Sequence, residues 1–580
     1  MLQGPAAGEH RKATEGVAFA VSRAGFSPWR PRGQAPKCRA NGRGAGHRLA
    51  EAPPEEHEED GPIRIALPLT LVAFALLLML QVLARPLLPI DETRYLAVAW
   101  EMHLTGDITH LTRNFELYTH KPPLLFWLIN LVWLVTGVSE TAARLIGPAF
   151  ALGAVAMTAG LAQSLWPMDR GIAGRAALAM FGFSVFAIYG STTMFDAMLT
   201  VAVLGGIWTL WRIGLGEASG GTWAVFGLCL ALGTYAKGPV ILVHLALPFF
   251  LMRLWAPNPP AIRHMLRGGA LALLVALGLV ALWLVPAVVG GTPAYREELL
   301  WTQSAARVAG GMAHDRPIWF LLALLPVLLF PWAWSLRIWP ALAEAVRGSD
   351  AARLCLIWAL AGLALFSLIS GKQAHYLLPE FPAVALLVAR AFGTERMQRP
   401  GGQFAPVLLI LLGIGLLAVG VGLVAGKGDM ALLVPRIAVT GVALFAFAFA
   451  AISWATPGMG GLAVAGAGLV LVLHGLIAVT GLGAGYDGRA IAARLAAAEA
   501  GGLAVIGMPY NAEFNFAARL TAPVATPADA AALADWARAH PEGLIFGPVA
   551  ALPVPPDARE AYNRTEFGFW PAAAVATSRE

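Results

Sequence analysis

From residue 65 onward the chain repeats one pattern: an apolar run of spanning length, then a short break carrying Gly, Pro or charge. Runs of this length and low charge suit helices crossing the ~30 Å hydrocarbon core of a bilayer. The pattern predicts spans over 65–85, 141–163, 171–190, 195–213, 222–236, 239–254, 268–289, 317–339, 353–370, 376–392, 405–425, 432–453 and 459–483, about thirteen in all. Residues 122–137 (PPLLFWLINLVWLVTG) are the delicate case, being close to the lower limit for a span. Charge decides it. With the basic N-terminal segment in the cytoplasm, an embedded surface helix at 122–137 leaves Arg170, Arg175, Arg212, Arg253, Arg263, Arg267, Arg347, Arg353, Arg396 and Arg399 inside. The positive-inside rule asks for that arrangement, and a full span would invert it.

Composition sharpens the picture. Of 580 residues, 58% are hydrophobic and 13% charged, against an ordinary ~25% charged. Eighteen of the 76 charged residues lie in 1–64 and seventeen in 486–580, so the 421 residues between hold 41. The middle is therefore polytopic membrane protein. Residues 1–64, rich in Arg, Gly, Ala and Pro and then acidic at 55–60, show no apolar period. They fit a disordered cytoplasmic tail or a mis-called start, and no secretory signal is expected there. After residue 485 the pattern changes to short buried strands at 503–507 and 544–547 and an amphipathic helix at 528–540. This predicts a small α/β domain over 486–580, placed outside by an odd number of spans. Three scattered cysteines exclude a disulfide framework or a Cys-based zinc site. A modest net charge of +6 with no soluble basic domain speaks against nucleic-acid binding. No His, Asp and Glu cluster has ligand spacing, so neither metal nor cofactor is expected.

The same parity gathers chemistry on the outer face. Asp91, Glu92, Lys121, Asp196, Lys237, the loop 290–316 and Lys372-Gln373-Ala374-His375-Tyr376 all fall there. Charges held against the membrane at one face suggest a site. Asp91, in Pro89-Ile90-Asp91-Glu92-Thr93-Arg94-Tyr95, reads equally as an N-cap or as a carboxylate able to take a proton. Lys121, in Tyr118-Thr119-His120-Lys121-Pro122-Pro123, stands at the positive end of a helix: a poor structural place for a lysine, or a snorkelling anchor, but a good place for an anion. Asp196 and Lys237 are weak signals singly. Lys372, His375 and Tyr376 could add donors, and the 290–316 loop fits a solvated segment or a lid over a lipid phosphate.

The segments PIDETRY, YTHKPPL, MFDAML, AKGP and KQAHYLLPEFP, in this order, resemble the lipid-A aminoarabinose transferase-like membrane glycosyltransferases, relatives of the protein O-mannosyltransferases in the GT-C class. The resemblance covers residues 65 to about 485. It implies a polytopic α-helical GT-C-like fold with interfacial helices in the first outer loop. It also implies transfer of a sugar from a polyprenyl-phosphate carrier to an envelope acceptor such as lipid A, at the periplasmic face of the bacterial inner membrane. Asp91 would be the catalytic carboxylate and Asp196 a second acid. Arg94, Lys121, Lys237 and Tyr376 would bind the donor phosphate. Glu92, Tyr95, Tyr118, His120, Arg296, Arg307, Lys372 and His375 complete the expected cavity. One departure stands out: the aminoarabinose enzymes resemble FEKPP where this chain has His120 before Lys121, which puts a neutral hexose or pentose on a par with an amino sugar. The rival class is a secondary transporter or lipid flippase for an anionic envelope precursor. Charges at one face, rather than at the midplane within repeats, argue against it.

Overall fold

The computed structural model describes residues 61–302, 316–394, 397, 402–423 and 436–577, all in one compact unit. The expectation for residues 1–64 falls almost wholly outside them. Among the described residues, six helices are long and apolar enough to cross a membrane: Glu140–Leu165, Asp196–Gly214, Ile262–Gly290, Asp350–Leu368, Arg436–Ala455 and Gly458–Thr480. A seventh span results if Ile172–Gly182 and Ser184–Gly190, bent by 74°, count as one. Apolar helices at Leu67–Leu83, Ile241–Phe250 and Ala405–Gly420 are shorter. Two expected spans are not continuous. The 317–339 run is helical only over Phe320–Leu328 before it breaks at Pro331 into a 3₁₀ turn. The 376–392 run opens as a 3₁₀ segment, Ala374–Glu380, and becomes α-helical at Phe381–Ala391. Prolines that deny backbone N–H groups to the ladder occur in both runs.

The first outer loop follows helix α1 (Gly61–Leu83) and comprises α2 (Asp91–Thr105), a short hairpin of β1 (Thr112–Arg113) and β2 (Glu116–Leu117), and α3 (Leu124–Thr136). Thirteen residues of α3 rise roughly 20 Å, short of a bilayer core. Leu125, Phe126, Ile129 and Trp133 are buried, while Leu131, Leu134 and Val135 are exposed. An apolar helix with a packed face and an apolar outward face fits a position in the membrane surface. Asn130 donates to the Ala99 carbonyl of α2 at 3.0 Å, and Trp133 stacks on Phe516 with ring centroids 5.6 Å apart.

Phe516 belongs to the C-terminal region. Its sheet has the order β3-β4-β6-β5, with β3 (Leu503–Val505) parallel to β4 (Leu544–Pro548), and β5 (Ala558–Tyr562) and β6 (Thr565–Pro571) completing it antiparallel. The helix expected at 528–540 runs Ala530–Ala539, capped by the Asp529 carboxylate on the Ala531 and Ala532 N–H groups. The sheet rests on α2 through a cluster that includes Ala97, Phe514, Phe546 and Phe567.

What fixes the loop to the spans is a buried ion pair. Glu92 accepts both Arg85 guanidinium nitrogens and the Leu88 and Thr193 N–H groups, the last at 2.7 Å. Arg85 also donates to the Ser191 carbonyl at 3.1 Å. Burial alone would push the Glu92 carboxyl up; Arg85 and the two N–H groups outweigh it and hold the carboxyl below its ordinary value. A depressed folded value means that the clasp contributes fully above the unfolded carboxyl range and is lost as pH falls through the folded value. Glu92→Gln is expected to lower unfolding stability at neutral pH by about 3 kcal/mol, the scale of a buried pair stripped of one partner. The loss should shrink in acid. Thermal unfolding in detergent at several pH values measures both.

Candidate active site

The residue before Glu92 has the opposite fate. Asp91 is the first residue of α2, and its side chain is 46% exposed. Of its two sequence readings, the cap is not what the geometry shows: its carboxylate accepts from the Arg94 guanidinium and, at 2.9 Å, from the Tyr95 hydroxyl. Spacings of three and four residues put these partners on one helical face. Burial, with Asp91 next, pushes the Tyr95 phenol well above its ordinary value, so it remains a protonated donor. Tyr95 packs edge-on against Phe195, centroids 4.9 Å apart, and Phe195 precedes Asp196.

Asp196 opens the helix Asp196–Gly214 and is buried; Lys237, the last residue of Gly220–Lys237, donates to it at 2.5 Å. The same ammonium lies 4.7 Å from the Tyr376 ring centroid. The Lys121 ammonium lies 5.5 Å from the Phe195 ring and 5.9 Å from that of Tyr95. His375 sits between the Tyr189 and Tyr376 rings and within electrostatic reach of Asp91, Asp196, Lys121 and Lys237. Tyr118 is within such reach of Arg94 and Tyr95. The structure thus brings Asp91, Arg94, Tyr95, Tyr118, Lys121, Asp196, Lys237, His375 and Tyr376 into one cluster from five separate stretches of chain. It can hold an anion between cations while presenting one accessible carboxylate.

His120 borders the cluster and faces Glu298 at 3.7 Å. Burial, then the Arg113 and Arg94 charges, hold its imidazole below its ordinary value. Three expected cavity residues serve elsewhere. Glu92 is the clasp described above. Lys372 is buried and spends its ammonium on the Ser367 and Pro317 carbonyls at 2.8 and 3.3 Å, satisfying the end of Asp350–Leu368. Arg296 caps the end of Ile262–Gly290 through the Val289 and Gly291 carbonyls. Arg307 lies outside the described residues. Among the described residues, no group of three His, Cys, Asp or Glu side chains could hold a metal ion.

One supporting pair was not singled out from the sequence. His244 and Glu380 are buried and paired at 2.5 Å across 136 residues. The His244 ring packs on Phe366 (5.3 Å), and Phe366 on Tyr376 (5.5 Å), the ring beneath Lys237. Gly362 makes room: a Cβ there would meet the Glu380 carboxylate at 2.1 Å. In the sequence, His244 and Glu380 are lone polar residues in apolar runs, without a pattern linking them.

A cluster of cations with an accessible carboxylate on a polytopic helical scaffold suits a membrane glycosyltransferase that draws on a lipid-phosphate donor. The family described as dolichyl-phosphate-mannose-protein mannosyltransferase matches residues 120–285. The undecaprenyl phosphate-alpha-4-amino-4-deoxy-L-arabinose arabinosyl transferase of Pectobacterium carotovorum is 30% identical over 441 residues, covering 72% of this chain and 76% of that one. Its counterpart from Pseudomonas paraeruginosa is 31% identical over 368 residues, 62% and 64% of the two chains. The chain belongs to this arabinosyl transferase family of membrane glycosyltransferases. Among solved structures, ArnT from Cupriavidus metallidurans bound to undecaprenyl phosphate superposes with a TM-score of 0.70 at 19% identity, over 90% of this chain and 100% of that one. Its apo state gives 0.69 at 20% identity.

A buried pair that loses one partner leaves an uncompensated polar group, whereas replacing both with apolar side chains removes the problem. Glu380→Leu is therefore expected to cost about 3 kcal/mol of stability, and Glu380→Leu with His244→Phe to recover most of it. Thermal unfolding of the single and double variants checks the coupling.

Proposed function

We propose that the protein transfers a sugar, with inversion, from undecaprenyl phosphate to lipid A at the periplasmic face of the inner membrane. The observation that carries the reading is the division of labour around Tyr95: an accessible carboxylate at Asp91 on one side, and the Lys121, Lys237 and Asp196 charges on the other. The leaving group is a lipid phosphate, already ionised, and asks for cations more than for a proton. Arg94, Lys121 and Lys237 supply them where water is scarce, which strengthens their effect. The acceptor hydroxyl attacks the anomeric carbon from the face opposite the phosphate. Its oxygen forms the new C–O bond, the bond to the phosphate oxygen breaks, and the hydroxyl proton passes to Asp91. If the accepting group is a phosphate, already a nucleophile, Asp91 orients it instead. Tyr95 and Arg94 hold the Asp91 carboxylate in place, and Asp196 holds the Lys237 ammonium in place.

The donor is a pentose, and an amino sugar fits better than His120 alone suggests. Glu298 brings a carboxylate to His120 at 3.7 Å, the neighbourhood where the FEKPP pattern carries its acid. A carboxylate there can receive a sugar ammonium.

Two measurements test this. Mass spectrometry of lipid A and other envelope glycolipids is expected to show one sugar lost on deletion of the gene. Asp91→Asn should fail to restore it, with transfer at least about 10²-fold below wild type. Full restoration would remove Asp91 from catalysis. In vitro, Glu298→Gln is expected to lower transfer of an amino pentose several-fold more than that of its neutral analogue. Equal losses would exclude Glu298 from sugar selection.

A further inference from the structure

The seam between the first outer loop and the C-terminal sheet holds a cavity of about 290 Å³ that the catalytic cluster does not use. One wall is the β1–β2 hairpin, with Arg113, Asn114 and Glu116; the other is the chain leaving the carboxyl end of β3, with Gly507, Tyr510 and Thr526. Glu116, Gly507 and Thr526 are exposed, so the cavity opens to solvent.

Both walls are fixed. The Asn114 side chain accepts from the Val524 N–H and donates to the Val524 carbonyl, each at 2.8 Å. The buried Glu101 carboxylate accepts the Asn114 and Phe115 N–H groups at 2.7 and 2.8 Å and is joined by Asn515. Trp100 donates to the Leu520 carbonyl at 2.8 Å. Such a satisfied buried network holds the cavity open before any ligand arrives. The cavity lies beyond the carboxyl end of the parallel pair β3–β4, where open α/β sheets characteristically bind ligands.

Arg113 joins the cavity to the chemistry. Its guanidinium gives one N–H to Asn511 at 3.1 Å and lies 5.8 Å from the Tyr118 ring centroid. Tyr118 in turn packs 5.1 Å from His120, the neighbour of Lys121. One cation thus lines the aqueous cavity and borders the catalytic cluster, while Glu116 stands across the same hairpin.

We propose that this cavity is the acceptor-headgroup subsite and takes a phosphorylated sugar, with Arg113 on the phosphate and Glu116 on the sugar hydroxyls. The inference rests on the transferase reading and adds where the acceptor is gripped. It assigns the C-terminal sheet a role: one wall of the subsite.

The test varies acceptor concentration at saturating undecaprenyl phosphate-linked sugar, using the full chain in nanodiscs. Thr526→Trp fills the cavity from the wall that carries no catalytic group. It is expected to raise the KM for lipid A about tenfold, the worth of one hydrogen bond to a charged group, with the donor KM and slow donor hydrolysis unchanged. Arg113→Ala should raise the acceptor KM by at least as much, and Arg113→Lys by less. An acceptor KM untouched by Thr526→Trp would overturn the proposal. Saturation-transfer NMR with glucosamine 1-phosphate, alone and with inorganic phosphate as a competitor, needs no turnover and so separates the two readings. Wild-type contacts to the sugar phosphate that vanish in Thr526→Trp support the subsite even if lipid A proves a non-acceptor. Contacts insensitive to the substitution, or fully displaced by an equal concentration of inorganic phosphate, count against it.

Discussion

A carboxylate carried out of water must meet a cation and hydrogen-bond donors or revert to its neutral form, and Glu92 is where this chain meets that demand. Arg85, at the end of the first membrane helix, and the N–H groups of Leu88 and Thr193 converge on it. Three stretches of chain are pinned at one point: the exit of α1, the start of α2 and the bend at 191–193. Asp91 is the preceding residue on α2, and Asp196 lies three residues beyond Thr193. The clasp therefore sets the distance between the accessible carboxylate and the Asp196–Lys237 pair without touching a substrate. Neighbouring acids in one helix take opposite roles because a helix turns about 100° per residue, aiming Glu92 inward and leaving Asp91 half-exposed.

Pairing continues through the site in a graded way. Asp196 is buried and has Lys237 at 2.5 Å; Asp91 is half-exposed and shares its carboxylate between Arg94 and Tyr95. A deeply buried carboxylate held by an ammonium is a poor base but a good anchor. One on the rim, kept in place by a guanidinium and a phenol, can exchange partners as a substrate arrives. The aromatic rings of Tyr95, Phe195 and Tyr376 space the cations apart and offer them π faces, a geometry that limits repulsion between them.

Much of this was legible in the chain. Parity and the positive-inside rule brought Asp91, Lys121, Asp196, Lys237 and His375 to one face, because charge next to apolar runs is a strong signal. Glu92, Lys372 and Arg296 carry the same charge signal, but the structure pairs them with a guanidinium and with backbone carbonyls that only the folded chain supplies. Pairing across 136 residues, as in His244–Glu380, leaves no periodic trace. The two hairpins went unread for a different reason. Their turns, Asn114-Phe115 and Asn563-Arg564, place both residues at positive φ, yet neither has the glycine that makes such a turn recognisable in sequence. The broken spans at 331 and 374–380 show that apolar length alone does not distinguish a straight helix from one interrupted by proline.

The first of those hairpins explains why the C-terminal region is attached where it is. A two-residue turn with Phe115 in the left-handed region is strained, and the Glu101 carboxylate holding its two N–H groups offsets that strain from α2. Asn114, once held, has its side chain free to clamp Val524 of the C-terminal region through both its carbonyl and its N–H. The docking therefore depends on the same helix that carries Asp91 at its other end. Asp91 and Glu101 lie ten residues apart, roughly 15 Å along α2, so one rigid rod positions the Asp91 carboxylate at its start and the docked C-terminal region near its finish. A membrane enzyme that must bring a lipid-borne donor up from the bilayer and an acceptor headgroup in from water gains from such a rod, because both approaches are measured from the same element.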